Sequence, residues 1–153
     1  MIDHLSIPVS DVEATARSYA QALAPLGYSV VMSITREQIP QLPFKQMVGL
    51  GAKGKPDLWL RSARSAVDAT HVALRAEHRK QVEAFHVAAL AAGLLDDGAP
   101  GVRAHYHRNY YAAFVRDRDG HSLEVVCHAP PPVKAKKKPA AKKKAKPAAK
   151  KRR

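Results

Sequence analysis

Residues 110–128 read YYAAFVRDRDGHSLEVVCH. Two short runs rich in β-branched and aromatic residues flank Asp117-Arg118-Asp119-Gly120, a turn-forming cluster, and the pattern predicts a β-hairpin. Its second strand places Glu124 between Leu123 and Val125. A carboxylate in apolar company is either well exposed or held by a partner, because burying it alone costs several kcal/mol. Cys127 lies at odd spacing from Glu124 and so faces the other way. It is the only cysteine, which excludes an intrachain disulfide framework and fits a buried, inert thiol in a reducing compartment.

Upstream of the hairpin, Asp96 to Gly101 is turn chemistry, followed by a short strand near Val102 to Tyr106. Before it, residues 77–92 have helical spacing with Val82, Phe85, Ala89 and Leu90 inward, and Gly93 stops the helix. Thr70 to Arg75 is a strand. The first half has the same order. Ile2 to Val9 alternates as a strand with Leu5, Ile7 and Val9 toward the core, and His4 on the opposite face. Ser10-Asp11-Val12-Glu13 has the form of a capping box, and Val12, Ala16, Tyr19 and Leu23 follow at helical spacing until Pro25 and Gly27. Strands are expected over Tyr28 to Ile34, Gln46 to Leu50 and Pro56 to Arg61. A proline-bearing surface loop separates the first two.

The chain thus reads as an α+β protein of two tandem βαβββ modules forming a curved mixed sheet around one cavity. His4, Tyr19, Leu23 and Gly27 in the first module answer His71, Phe85, Leu90 and Gly93 in the second. This domain spans residues 1–128. Residues 129–153 form a Lys/Ala/Pro-rich tail, which has too little apolar surface to fold and is expected to be disordered.

The net charge of +13 belongs to that tail: it holds twelve Lys and Arg and no acid, leaving 14 basic against 13 acidic residues in 1–128. Global charge therefore argues for nucleic acid only through the tail, where Lys136, Lys137, Lys138, Lys142, Lys143 and Lys144 would make nonspecific, salt-sensitive contacts. A solvated extension is the plainer alternative. The N-terminus has no secretory pattern and no apolar run approaches a membrane span, so the expected location is the cytoplasm, with no membrane partner.

If the two sheets curve around one cavity, His4 and His71 occupy equivalent positions and Glu124 joins them. Two imidazoles and one carboxylate suit a divalent Zn, Fe, Mn, Ni or Co and leave coordination positions open. The alternative is that both histidines are satisfied within the core and Glu124 pairs with Arg61 or Arg75. Trp59, Arg103, His105, His107, Asn109, Tyr110 and Phe114 are the candidate substrate contacts. His105 and His107 fall on one face of the expected strand, a weak signal for a second metal. No role is assigned to His78, His86, His121 or His128.

HLSIPVSD at 4–11, Tyr19-x-x-x-Leu23-x-x-x-Gly27, Thr70-His71-Val72-Ala73 and Asp117-Arg118-Asp119-Gly120-His121-x-x-Glu124 resemble the vicinal oxygen chelate superfamily. That superfamily contains glyoxalase I, bleomycin-resistance proteins, fosfomycin-resistance thiol transferases and extradiol dioxygenases. The resemblance covers residues 1–128 and implies paired βαβββ modules with metal ligands at His4, His71 and Glu124. It implies a metal-dependent lyase, thiol transferase or dioxygenase acting on a small oxygen-bearing metabolite or xenobiotic, and a homodimer. Glyoxalase I-like members carry a fourth carboxylate on the last strand of the first module, where Pro56-Asp57-Leu58-Trp59-Leu60-Arg61 puts Trp59; Asp57 fits only with a two-residue shift. The pattern is closer to that of the fosfomycin-resistance proteins, and no catalytic residue is identified. Two other functions stay open: a non-catalytic protein that sequesters an antibiotic-like ligand, and a nucleic-acid-associated protein acting through its tail.

Overall fold

A computed structural model describes residues 2–65 and 67–131. The tail lysines named above, and the expected disorder there, lie outside the described residues. The element order is β1 (Leu5–Val9), α1 (Val12–Leu23), a 3-10 turn at Ala24–Leu26, β2 (Tyr28–Thr35), β3 (Gln46–Ala52), β4 (Lys55–Ser62), β5 (His71–Arg75), α2 (Arg79–Ala91), β6 (Leu95–Val102), β7 (Tyr111–Arg116) and β8 (Ser122–Cys127). Two βαβββ modules result. Each forms a four-stranded mixed sheet, ordered β1-β4-β3-β2 and β5-β8-β7-β6. The first strand of each module pairs in parallel with the last, and the other pairs are antiparallel.

One core spans both modules. Ile7 and Val9 of β1, Leu58 and Leu60 of β4, and Leu123 and Val125 of β8 meet Val12, Ala16, Tyr19 and Leu23 of α1 and Val82, Phe85 and Ala89 of α2. Alternation along the strands puts every second side chain into this layer and sends the rest to the helix-free face of each sheet. Helix α1 packs on α2, with Ser18 Oγ donating to the Ala92 carbonyl at 3.1 Å. Cys127 is fully buried on the core side, its thiol 3.6 Å from the Glu77 carbonyl.

Three local expectations are corrected. The capping box does not form: Asp11 is the N-cap of α1 and its carboxylate accepts the Ala14 N–H at 2.9 Å. The Ser10 N–H is drawn away to Asp119 Oδ2 at 2.8 Å, and Glu13 bonds Gln46 instead. Helix α2 buries Val82, Phe85 and Ala89 as expected, but His86 replaces Leu90 on its inward face. His86 is buried and Leu90 is 41% exposed, because His86 Nε2 meets Asp96 Oδ1 at 2.9 Å and Leu94 enters the core beyond the helix end. Finally, the stretch expected to be a turn before the sixth strand is that strand. Asp96 to Gly101 lies within β6, whose edge position tolerates Pro100, and residues 103–110 form the loop.

The hairpin turn serves as a clasp between the modules. Asp117 Oδ1 accepts the N–H groups of Asp119 and His121 at 3.0 and 2.9 Å, and its Oδ2 accepts the Tyr19 hydroxyl at 2.9 Å. His121 Nδ1 accepts the Thr70 N–H at 2.9 Å, which leaves the proton on Nε2 to donate to the Pro8 carbonyl at 2.9 Å. Arg118 reaches Asp11 at 3.2 Å. Gly120, at φ +83°, supplies the left-handed residue that closes the turn.

Candidate metal centre

Glu124 is 2% exposed and has two partners. Tyr110 donates its hydroxyl to Oε1 at 2.6 Å, and His71 Nε2 lies 3.0 Å from Oε2. Neither Arg61 nor Arg75 pairs with it. The register brings these groups together: Ala73 faces Glu124 across β5 and β8, and His71 faces Ser122. Ser122 Oγ is 3.0 Å from His71 Nδ1. When the imidazole proton sits on Nδ1, Ser122 accepts it and the Nε2 lone pair is free on the Glu124 side. That is the tautomer a metal requires, and supporting hydrogen bonds of this kind orient ligating histidines. Burial and the Glu124 carboxylate push the Tyr110 phenol up to about 12, so it remains a donor at neutral pH.

The residues fit a divalent ion in part. His71 Nε2 and Glu124 Oε2, at a hydrogen-bond distance of 3.0 Å, set an imidazole nitrogen beside a carboxylate oxygen, two donor types that divalent ions take. His4 does not join them in this chain. It lies on the other sheet, with Nδ1 3.0 Å from Asp3. That contact and Lys55 hold the Asp3 carboxyl down at about 2. Among the described residues, the set of three His, Cys, Asp or Glu side chains whose ligand atoms all lie within 4.8 Å is Asp117, Asp119 and His121. Both nitrogens of His121 are committed to backbone groups, so this set is a structural clasp with no imidazole lone pair for an ion.

The register also decides what stands opposite Glu124 in the pseudo-symmetry. Ser6 pairs with Trp59 as Ala73 pairs with Glu124. With His4 matched to His71, Trp59 takes the place of Glu124 and Gly49 takes the place of Phe114. The exchange is one of volume: a Cβ on Gly49 would sit 3.0 Å from the Trp59 ring and 2.8 Å from Pro56. The first module therefore offers an indole lying over bare backbone where the second has a carboxylate beside a phenyl ring. Trp59, His4, Ile34, Phe44, Met47 and Arg61 line a groove of about 640 Å³, and Arg61 stacks over Phe44 at 4.6 Å.

The remaining predicted contacts divide into three groups. Tyr110 and Phe114 stand with His71 and Glu124, the Phe114 ring 6.3 Å from the imidazole, and Arg103 lies over Phe114 at 5.4 Å. His107 Nε2 meets His128 Nδ1 at 2.8 Å, and Asn109 donates its N–H to His107 Nδ1 at 3.1 Å. Both imidazoles meet the Tyr110 ring edge to face, so they immobilise it. His105 is exposed on the loop against Tyr106. Sequence reasoning passed over Ser122 and His128. Both sit at even spacing from Glu124, so strand parity carried the signal.

No protein-family model and no curated protein matches the chain. Solved structures do. A glyoxalase/bleomycin resistance protein from Albidiferax ferrireducens T118 is similar at TM-score 0.62 and 21% identity, over 82% of this chain and 96% of that one. A glyoxylase/bleomycin resistance protein/dioxygenase domain from Frankia sp. EAN1pec is similar at 0.63 and 15%, over 83% and 96%. A genomically encoded fosfomycin resistance protein from Listeria monocytogenes is similar at 0.58 and 14%, over 81% and 89%. At these identities the likeness is one of fold. The chain has the vicinal oxygen chelate fold, the paired βαβββ architecture that its sequence motifs resemble.

Proposed function

We propose that this protein is a divalent-metal-dependent enzyme of the vicinal oxygen chelate type, acting on a small oxygen-bearing molecule, with His71, Glu124 and His4 as metal ligands. The carrying observation is the buried Glu124 carboxylate, held at Oε1 by Tyr110 and at Oε2 by His71. The pair sets a carboxylate oxygen beside an exposed imidazole nitrogen, the donor types that a divalent ion takes. Within one chain His4 belongs to the other sheet, so His4 of a second copy completes the set in a homodimer. A bound divalent ion would supply Lewis-acid polarisation of substrate oxygens. Tyr110 fixes the Glu124 carboxylate by one oxygen, Ser122 fixes the His71 ring, and the Phe114 ring walls the site.

The test is ion uptake by the purified protein and by His4→Ala and Glu124→Gln variants. Each variant alone loses the ion. Mixing the two in equal amounts restores about a quarter, because half of the randomly re-formed dimers are mixed and one of the two sites in each is intact. Full occupancy in both variants would sink the reading.

A second reading is favoured by Trp59 standing where a carboxylate would be. An indole over Gly49, with Phe44, Met47 and Ile34 beside it, suits a flat apolar ligand held without turnover. Tight ligand binding by metal-free protein supports it over the enzyme. The nucleic-acid role of the tail is a separate proposal; deletion of residues 129–153 that leaves DNA binding at low salt unchanged excludes it.

A further inference from the structure

Arg103 ends the row of side chains that begins at His71. Phe114 pairs with Glu124 across β7 and β8 and shares its face of the sheet. Its ring lies 6.3 Å from the His71 ring, and the Arg103 guanidinium carbon is 5.4 Å from the same phenyl centroid. The guanidinium rests on the backbone of β6 because two residues there lack a side chain. A Cβ on Gly101 would sit 2.8 Å from Nη1, and one on Gly98 would sit 3.2 Å from Nη2. One donor is used, Nη2 to the Ala99 carbonyl at 2.8 Å.

A guanidinium has five N–H donors in a planar fork. Among the described residues no carboxylate forms an ion pair with Arg103, and the acids of the same strand are engaged elsewhere. Asp96 takes His86 and the Gly98 N–H, and Asp97 takes Arg116 at 3.0 Å. The result is a half-buried cation, with its position set by Phe114 and Ala99 and with most of its donors unspent, separated from the His71–Glu124 pair by the Phe114 ring.

We propose that the ligand of this site is anionic: a carboxylate, phosphonate or phosphate group on it is bound by the fork of Arg103, while its other end faces His71 and Glu124. The inference rests on the metal-centre reading above and adds the charge class of the ligand. Planar, two-pronged recognition of such anions is what arginine provides and a lysine does not.

The test is calorimetry on the full chain at 0.15 M salt, metal-free and zinc-loaded, with benzoate, phenylphosphonate and the neutral benzamide as probes. At least one anion binds about tenfold or more tighter than benzamide, a difference of about 1.4 kcal/mol, and the stronger of the two tells a carboxylate site from a phosphonate site. Arg103→Gln removes the preference. Arg103→Lys keeps part of it, and it carries the test if the glutamine variant fails to fold. The lysines of the tail are common to all variants, so the difference isolates Arg103. Equal anion affinity in wild type and Arg103→Gln, equal affinity for the anions and benzamide, or no binding of either anion overturns the proposal. Zinc uptake by the wild type, measured in parallel, separates the two claims. Uptake without Arg103-dependent anion binding sinks this inference alone, and anion binding without uptake sinks the metal centre.

Discussion

Tyr110 donates its hydroxyl proton to Glu124 Oε1 at 2.6 Å, while the other carboxylate oxygen meets His71 Nε2. The phenol is raised to about 12, first by burial and then by Glu124. A raised acid pKa means that the fold favours the protonated phenol. The associated stability is present below the ordinary tyrosine value near 10 and is lost as pH rises from there through about 12. The ultraviolet difference titration of wild type against Tyr110→Phe will therefore show a phenolate appearing near pH 12. Glu124→Gln removes the negative charge and shifts that midpoint downward. A midpoint at the ordinary value in the wild type would show that the pair is not formed.

Asp117 is a buried carboxylate with three donors on it. Its removal leaves the Tyr19 hydroxyl and two backbone N–H groups unpaired. Each orphaned group costs about 1–3 kcal/mol. Asp117→Ala is thus expected to lose about 3 kcal/mol or more in urea unfolding, and Asp117→Asn, which keeps an acceptor for the two N–H groups, loses less.

Gly49 and Trp59 form a size-matched pair. Gly49→Ala forces the indole or Pro56 to move and costs about 1–3 kcal/mol, the range for overpacking. In Trp59→Ala the space is already open, so the alanine at position 49 costs less. A double-mutant cycle reads this as a coupling of about 1 kcal/mol. Additive effects would show that the indole does not lie over the glycine.

The order of elements was legible because strand parity and helical spacing are local. Ile7 and Val9, and Val12, Ala16, Tyr19 and Leu23, are buried as their spacing requires. Glu124 was identifiable as a group needing partners, and both partners were among the residues singled out. What escaped depended on distant contacts. The cap moved from Ser10 to Asp11 because Asp119, 109 residues away, takes the Ser10 N–H. His86 turned inward because Asp96 was there to receive it. In the motif Asp117-Arg118-Asp119-Gly120-His121-x-x-Glu124, the stretch from Asp117 to His121 is engaged in structural hydrogen bonds. Its polar groups tie the hairpin to β1 and α1, a role that spacing alone does not reveal. The equivalence of Trp59 with Glu124 became firm only with the two strand registers.

The central claim is that His71 and Glu124 hold a divalent ion. Its most direct test is titration of the metal-free protein with zinc and with manganese, followed by elemental analysis of the wild type, His71→Ala and Glu124→Gln after gel filtration. One ion per chain in the wild type and none in either variant is the expected result, with circular dichroism showing all three folded. Retention of the ion by both folded variants, or no uptake by the wild type, would contradict the account.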